Sequence, residues 1–146
     1  MSNRPSHHLP VRVYFEDTDA GGIVYHANYL RFAERARTEL MRDLGVPHGE
    51  MVRDCNLMFV VRSAKLDYLR PARLDESLEV VTLPLDLRAA TVTLRQEIRG
   101  AQGACAFVEI ELACVTLDGT RPARIPPRWR DAFEEMLAAR PPAERT

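Results

Sequence analysis

The residues from Asn28 to Leu44 carry one apolar stripe at helical spacing, and no comparable stripe returns before position 127. Tyr29, Ala33, Ala36, Leu40 and Leu44 recur at i, i+4, i+7, i+11 and i+15, which places them on one face of a helix. Arg31, Glu34, Arg35, Glu39, Arg42 and Asp43 take the other positions, with Arg35 and Glu39 an i,i+4 pair. Asn28 reads as the N-cap, Gly45 as the glycine that ends the helix, and Pro47 as the block to its continuation. The two alanines on the stripe permit close approach to a sheet.

A lone long helix must bury its stripe against something else, and the rest of the chain supplies strands. Val11–Phe15 is a short strand. Pro47–Cys55 is a short helical or irregular link. Ser63–Tyr68 alternates with its even positions apolar. Leu78–Leu83 shifts phase near Val80-Val81, and the following Pro84 marks a bulge or an edge. Thr91–Ile98 alternates again. Ala104–Leu117 is a long strand with Val108, Ile110 and Leu112 inward and Glu109 and Glu111 outward. Gly100 to Gly103 tightens one connection, and Asp118-Gly119 closes the strand set. From Pro127, residues Trp129, Phe133, Met136 and Leu137 share one face of a second, shorter helix.

The order strand, long helix, four strands, short helix predicts an α+β fold: one five-stranded antiparallel sheet with the long helix on one face. One helix cannot cover both faces, and such a sheet has unpaired edges, so a dimer or tetramer of identical chains is expected. The 146 residues make one domain, 1–146, with loose tails at 1–10 and 141–146. His7-His8 in the first tail reads as exposed polar sequence rather than as a metal pair.

A net charge of −1 gives no pull toward nucleic acid or anionic lipid. Lys65 is the only lysine among 20 basic residues. This bias reads first as composition and second as arginine forks available to phosphate or carboxylate. No apolar run approaches membrane-span length. Cys55, Cys105 and Cys114 show no CxxC spacing and read as small buried side chains, so neither a disulfide framework nor zinc is suggested. Met1–Pro10 lacks the apolar core of a signal peptide, and the expected compartment is the cytoplasm.

Chemistry-bearing residues crowd into YFEDTDAGGIVYHANY, positions 14 to 29. Glu16, Asp17 and Asp19 precede Gly21-Gly22, and His26 and Asn28 follow at the start of the helix. Either glycine can adopt positive φ and let the backbone pass close to a ligand. A helix N-terminus offers unpaired N–H groups and a positive dipole end, which can polarise a carbonyl beside a carboxylate. The residues alone leave three readings open: acyl chemistry, a solvated acidic turn, or a divalent-metal site at Asp17 and Asp19. No further ligands at calcium-loop spacing follow them.

The stretch VRVYFEDTDAGGIVYHANYLRFAERARTEL closely resembles the YbgC-like acyl-CoA thioesterases of the Tol-Pal gene neighbourhood. It resembles 4-hydroxybenzoyl-CoA thioesterase more loosely. MFVVRSAKLDYLRPARLDESLEV extends the first likeness over most of the chain. The resemblance implies the hotdog fold, a curled antiparallel sheet wrapped around a long central helix. It implies hydrolysis of an acyl-CoA thioester to a carboxylate and CoA, or of the same acyl group on an acyl carrier protein, without metal or cofactor. It assigns Asp19 as the catalytic carboxylate and Asp17 to the turn. His26 falls where the family turns a backbone N–H toward the thioester carbonyl, usually with a histidine side chain. Gly22, Tyr25 and Tyr29 are the substrate-binding candidates of this stretch, with Tyr29 read first as packing on the sheet and second as lining the pocket. Arg88, Arg121 and Arg124 fall in the two regions where basic residues of the looser relative grip CoA phosphates; each reads first as solvated surface arginine and second as such a contact. Phe15 stands where many relatives have tyrosine, so a hydroxyl there is missing. Two rival readings are a hydratase on the same fold, which uses a different motif, and a non-catalytic acyl-thioester binder or adaptor, which needs the pocket but not Asp19.

Overall fold

A computed structural model describes residues 5–140. Five strands form one antiparallel sheet: β1 (His7–Arg12), β2 (Leu57–Tyr68), β3 (Ser77–Leu87), β4 (Thr91–Gly100) and β5 (Gly103–Thr116). Their order is β1-β3-β4-β5-β2, so β1 and β2 are the edges. The helices are α1 (Asn28–Asp43), α2 (His48–Cys55) and α3 (Pro127–Ala139). The α+β arrangement expected from the sequence is the one observed, with α1 packed against the sheet.

The stripe of α1 does what its spacing requires. Tyr29, Phe32, Ala33, Ala36, Leu40 and Met41 are buried. They meet the inward residues of the sheet, among them Val80, Val92, Leu94, Ile98, Val108 and Ile110. Leu44 lies just past the helix and is only half-buried. Gly45 takes φ +79°, the left-handed conformation that ends the helix. One polar side chain interrupts the apolar core. Gln96 of β4 is fully buried, its Nε2 donates to Ala33 O (2.8 Å) and Thr82 Oγ1 (3.0 Å), and its Oε1 accepts from Arg37 Nη1 (3.1 Å). The amide thus fastens α1 to β3 and β4 with no polar atom stranded.

The far end of the core is closed by α2 and α3. Trp129 Nε1 donates to Val46 O (2.8 Å), and Phe133 packs edge-on against Phe59. Burial lowers the pKa of His48 below the ordinary imidazole value, and its Nε2 accepts the Phe59 backbone N–H (2.9 Å) at the start of β2.

Several boundaries differ from the sequence reading. Residues 7–10 are not a loose lead-in: His7 to Arg12 pair with Thr82 to Ser77. Ladder bonds are made by backbone, so a polar sequence can hold an edge, and Pro10 is tolerated there. His7 bonds Asp43 (2.7 Å) while His8 lies 3.3 Å from Glu79, so the two rings diverge. The strand expected at Val11–Phe15 ends early, because Phe15–Asp17 forms one 3-10 turn. β3 runs on to Leu87, with its irregularity between Pro84 and Asp86; Pro84 lies beyond the end of β1. The expected tail at 141–146 and residues 1–4 lie outside the described residues.

Candidate active site

Asp17 builds the passage from β1 into α1. Its side chain is 3% exposed, and each carboxylate oxygen accepts one bond: Oδ2 from Tyr14 N (2.8 Å) and Oδ1 from Asn28 Nδ2 (2.6 Å). Its carbonyl accepts from Tyr25 N (2.9 Å). Asp17 therefore ties the strand exit to the helix entry, buried and with both carboxylate oxygens engaged by the fold. Asn28 is not the N-cap that the sequence suggested. It is the first residue of α1, its side chain is turned inward to Asp17, and Ala27 at the cap position makes no side-chain bond. The entry of α1 is left without a side-chain cap.

Asp19 lies in the exposed turn that follows. Its N–H donates to Ile23 O (2.9 Å), and its carbonyl accepts from Gly22 N (3.1 Å). Gly22 takes φ +77°, whereas Gly21 does not need the left-handed region. A Cβ on Gly21 would lie 3.3 Å from Asp19 Oδ1, and Gly21 N donates to that same oxygen (2.8 Å). One carboxylate oxygen is thus oriented by the backbone, and Oδ2 carries no hydrogen bond among the described residues.

His26 sits at the other end of the loop, exposed, against the ring of Tyr25 (4.4 Å between centroids). Its carbonyl accepts from the Tyr68 hydroxyl (3.0 Å). Tyr29 is buried and its hydroxyl oxygen accepts Ala72 N–H (3.0 Å); burial raises its pKa above the ordinary phenol value. Its ring meets Tyr68 at 5.7 Å. Between these groups runs a mostly apolar groove of about 340 Å³, lined in part by Ile23, Val24, His26, Tyr29, Tyr68 and Leu69.

The loop is stitched to the segment before β3: Val24 N donates to Ala72 O (2.8 Å) and Leu74 N to Gly22 O (3.2 Å). Asp19, Gly22, Tyr25, His26 and Tyr29 are therefore gathered in one place. Arg88 and Arg124 come near one another elsewhere, and Arg121 precedes Arg124 on the segment that follows β5, its carbonyl bonded by Thr116 N. Arg88 follows the end of β3 and pairs with Asp86 (2.9 Å), while Ile125 N donates to Ala89 O (2.8 Å), bringing the segment after β5 to the same turn. The 11 residues of β3, roughly 35 Å of extended backbone, separate that cluster from the loop of Asp19 within one chain. Among the described residues no three His, Cys, Asp or Glu side chains form a metal-ligand group. No helix among them is long and apolar enough to cross a membrane. All three cysteines are free, with Cys105 and Cys114 buried.

Residues 13–137 match the model of the thioesterase-like superfamily. The acyl-CoA thioesterase YbgC of Haemophilus influenzae is 39% identical over 128 residues, 88% of this chain and 94% of that protein. The chain belongs to this thioesterase family. The acyl-CoA thioester hydrolase YbgC of Escherichia coli is 41% identical over 82% of this chain and 85% of its own length. Among solved structures, a probable thioesterase from Bartonella henselae superposes with TM-score 0.79 at 35% identity, over 83% of this chain and 99% of that one. The DHNA-CoA thioesterase of Staphylococcus aureus, at 23% identity and TM-score 0.84, shares the fold.

Within this family frame, the sequence reading missed one wall of the groove. Tyr68, the last residue of β2, and Leu69, Arg70 and Pro71 just after it lie far from the DTD motif in sequence. The signal was present in the alternation of Ser63–Tyr68, which puts Tyr68 on the inner face, but strand periodicity does not say which end of a strand meets the loop.

Proposed function

We propose that the chain hydrolyses an acyl-CoA thioester to a carboxylic acid and CoA, with Asp19 as the catalytic carboxylate. One observation carries this reading. Asp17 is consumed by structure, while Asp19 is exposed, oriented through Oδ1 and open at Oδ2, in the same loop as an uncapped helix entry. The names of the relatives give the substrate class.

The acyl arm lies in the apolar groove beside His26 and Tyr29, and the thioester carbonyl oxygen faces the entry of α1. N–H groups and the positive end of the helix there offset the charge that grows on that oxygen. Asp19 acts in one of two ways. As a nucleophile it bonds to the carbonyl carbon, CoA leaves as thiolate, and water opens the resulting mixed anhydride. As a general base it takes a proton from water as the water attacks, and the protonated carboxyl returns that proton to the departing thiolate. His26 serves as the backbone donor at the helix entry; on the nucleophilic route its side chain also hands a proton to the departing thiolate and regains one from the water that opens the anhydride. Neither route uses a metal or cofactor. The free cysteines fit a reducing compartment, the cytoplasm.

Association of identical chains is part of this reading. The outer face of the sheet carries Lys65, Asp67, Arg95 and Glu109 and is suited to water. The stronger motive is the edge at β2, where Val61 is 50% exposed and Tyr68, beside the groove, 51% exposed.

Asp19→Asn keeps the size and removes both roles. Steady-state thiol release is expected to show kcat reduced by about 10² or more with acyl-CoA binding retained. Near wild-type turnover in Asp19→Asn overturns the mechanism. A wild type that binds acyl-CoA and never releases thiol identifies a binder instead. Single turnover in ¹⁸O water separates the two routes, since nucleophilic attack leaves label in the Asp19 carboxylate.

A further inference from the structure

His26 is held on both of its peptide planes by other residues. On its N-terminal side, the Tyr25 carbonyl accepts from Asn28 N (2.8 Å). On its C-terminal side, its own carbonyl accepts from the Tyr68 hydroxyl (3.0 Å). Peptide units are planar and trans, so fixing a carbonyl fixes the N–H on the opposite side of the same unit. The first bond therefore sets the direction of His26 N–H and the second that of Ala27 N–H. Neither N–H donates a hydrogen bond among the described residues. The first anchor is local to the turn. The second comes from the last residue of β2, 42 positions further along the chain.

We infer that Tyr68 is a positioning residue for the reaction: its hydroxyl, rather than its ring, fixes the amide donors at the entry of α1. The inference rests on the reading of that entry as the carbonyl-binding end of a thioesterase. The ring has separate work. It meets Tyr29 at 5.7 Å and His26 at 6.5 Å, and it lines the groove. An exposed tyrosine on an edge strand has no packing need for its hydroxyl, because water can satisfy it. Here the hydroxyl is spent instead on a backbone carbonyl beside the catalytic loop. Donors of this kind act by being aimed before the reaction begins, so a loosened peptide plane costs rate more than affinity.

Tyr68→Phe separates the two parts, since it keeps the ring and removes the hydrogen bond. In this variant kcat is expected to fall about tenfold while KM and the melting temperature hold. Amide hydrogen exchange gives a second readout independent of turnover. Exchange at Asn28 N–H, which closes the Tyr25–Asn28 turn, is expected to quicken several-fold, with protection of the sheet unchanged. Tyr68→Ala also removes the groove wall and is expected to raise KM. An active Tyr68→Phe enzyme with wild-type kcat and unchanged Asn28 exchange overturns the inference. So does a rate loss matched by a lower melting temperature and faster exchange throughout, which marks a merely structural tyrosine. A wild type that releases thiol from no acyl-CoA removes the thioesterase reading itself, and this failure is visible before any variant is made.

Discussion

Removal of the Asp17 carboxylate tests the division of labour between the two aspartates. In Asp17→Ala, Tyr14 N–H and the Asn28 amide lose their acceptor in a site only 3% exposed. Each stranded donor costs about 1–3 kcal/mol, so the sum is about 2–6 kcal/mol. In a chain of this length 1 kcal/mol moves the melting temperature by about 3 °C, which gives a drop of roughly 6–18 °C. Asp17→Asn is milder. Its new amide oxygen takes the Tyr14 N–H, and a half-turn of the Asn28 amide offers an acceptor to its NH₂, leaving a cost of about 1 kcal/mol. Thermal unfolding by circular dichroism gives the stability, and thiol release well below both melting temperatures gives the rate. Folded Asp17→Asn is expected to keep kcat within a few-fold. The reasoning fails if Asp17→Ala melts no lower than Asp17→Asn. It fails equally if Asp17→Asn keeps its melting temperature and loses kcat by about 10², which would put the chemistry on the wrong aspartate.

Three further outcomes are expected. His48 has its pKa lowered by burial from 6.5, so the unfolded chain takes up a proton there before the folded one. Its stabilising contribution is complete above pH 6.5 and falls away as pH drops below that value; His48→Gln keeps an acceptor for Phe59 N–H and should flatten the slope of urea midpoints on that side. Alanine at Arg88, Arg121 or Arg124 should raise KM for CoA thioesters with kcat held and spare a short pantetheine thioester; unchanged KM in all three places the phosphate grip elsewhere. Light scattering should show a dimer or tetramer at micromolar concentration, and a monomer refutes the self-association drawn from the exposed β2 edge.

Periodicity settled the large-scale arrangement before any coordinates. The stripe from Tyr29 to Leu40 and the alternations of Thr91–Ile98 and Ala104–Leu117 appear where they were read, because facing a core forces a period on the chain. The site loop was legible for a different reason: acids, glycines and a histidine adjacent in sequence must also be adjacent in space. Three things were not legible. The ladder of His7–Arg12 is made by backbone, which leaves no mark in side-chain polarity. Asn28 has the composition of a cap, and its choice of Asp17 instead depended on a buried carboxylate 11 residues back. Tyr68 came to line the groove, and Arg88 was placed away from the loop of Asp19, through the path of β2 and β3 across the sheet. Local spacing limits which groups a helix or turn can bring together, whereas contacts between distant segments follow from strand order and register, which exist only once the sheet has formed.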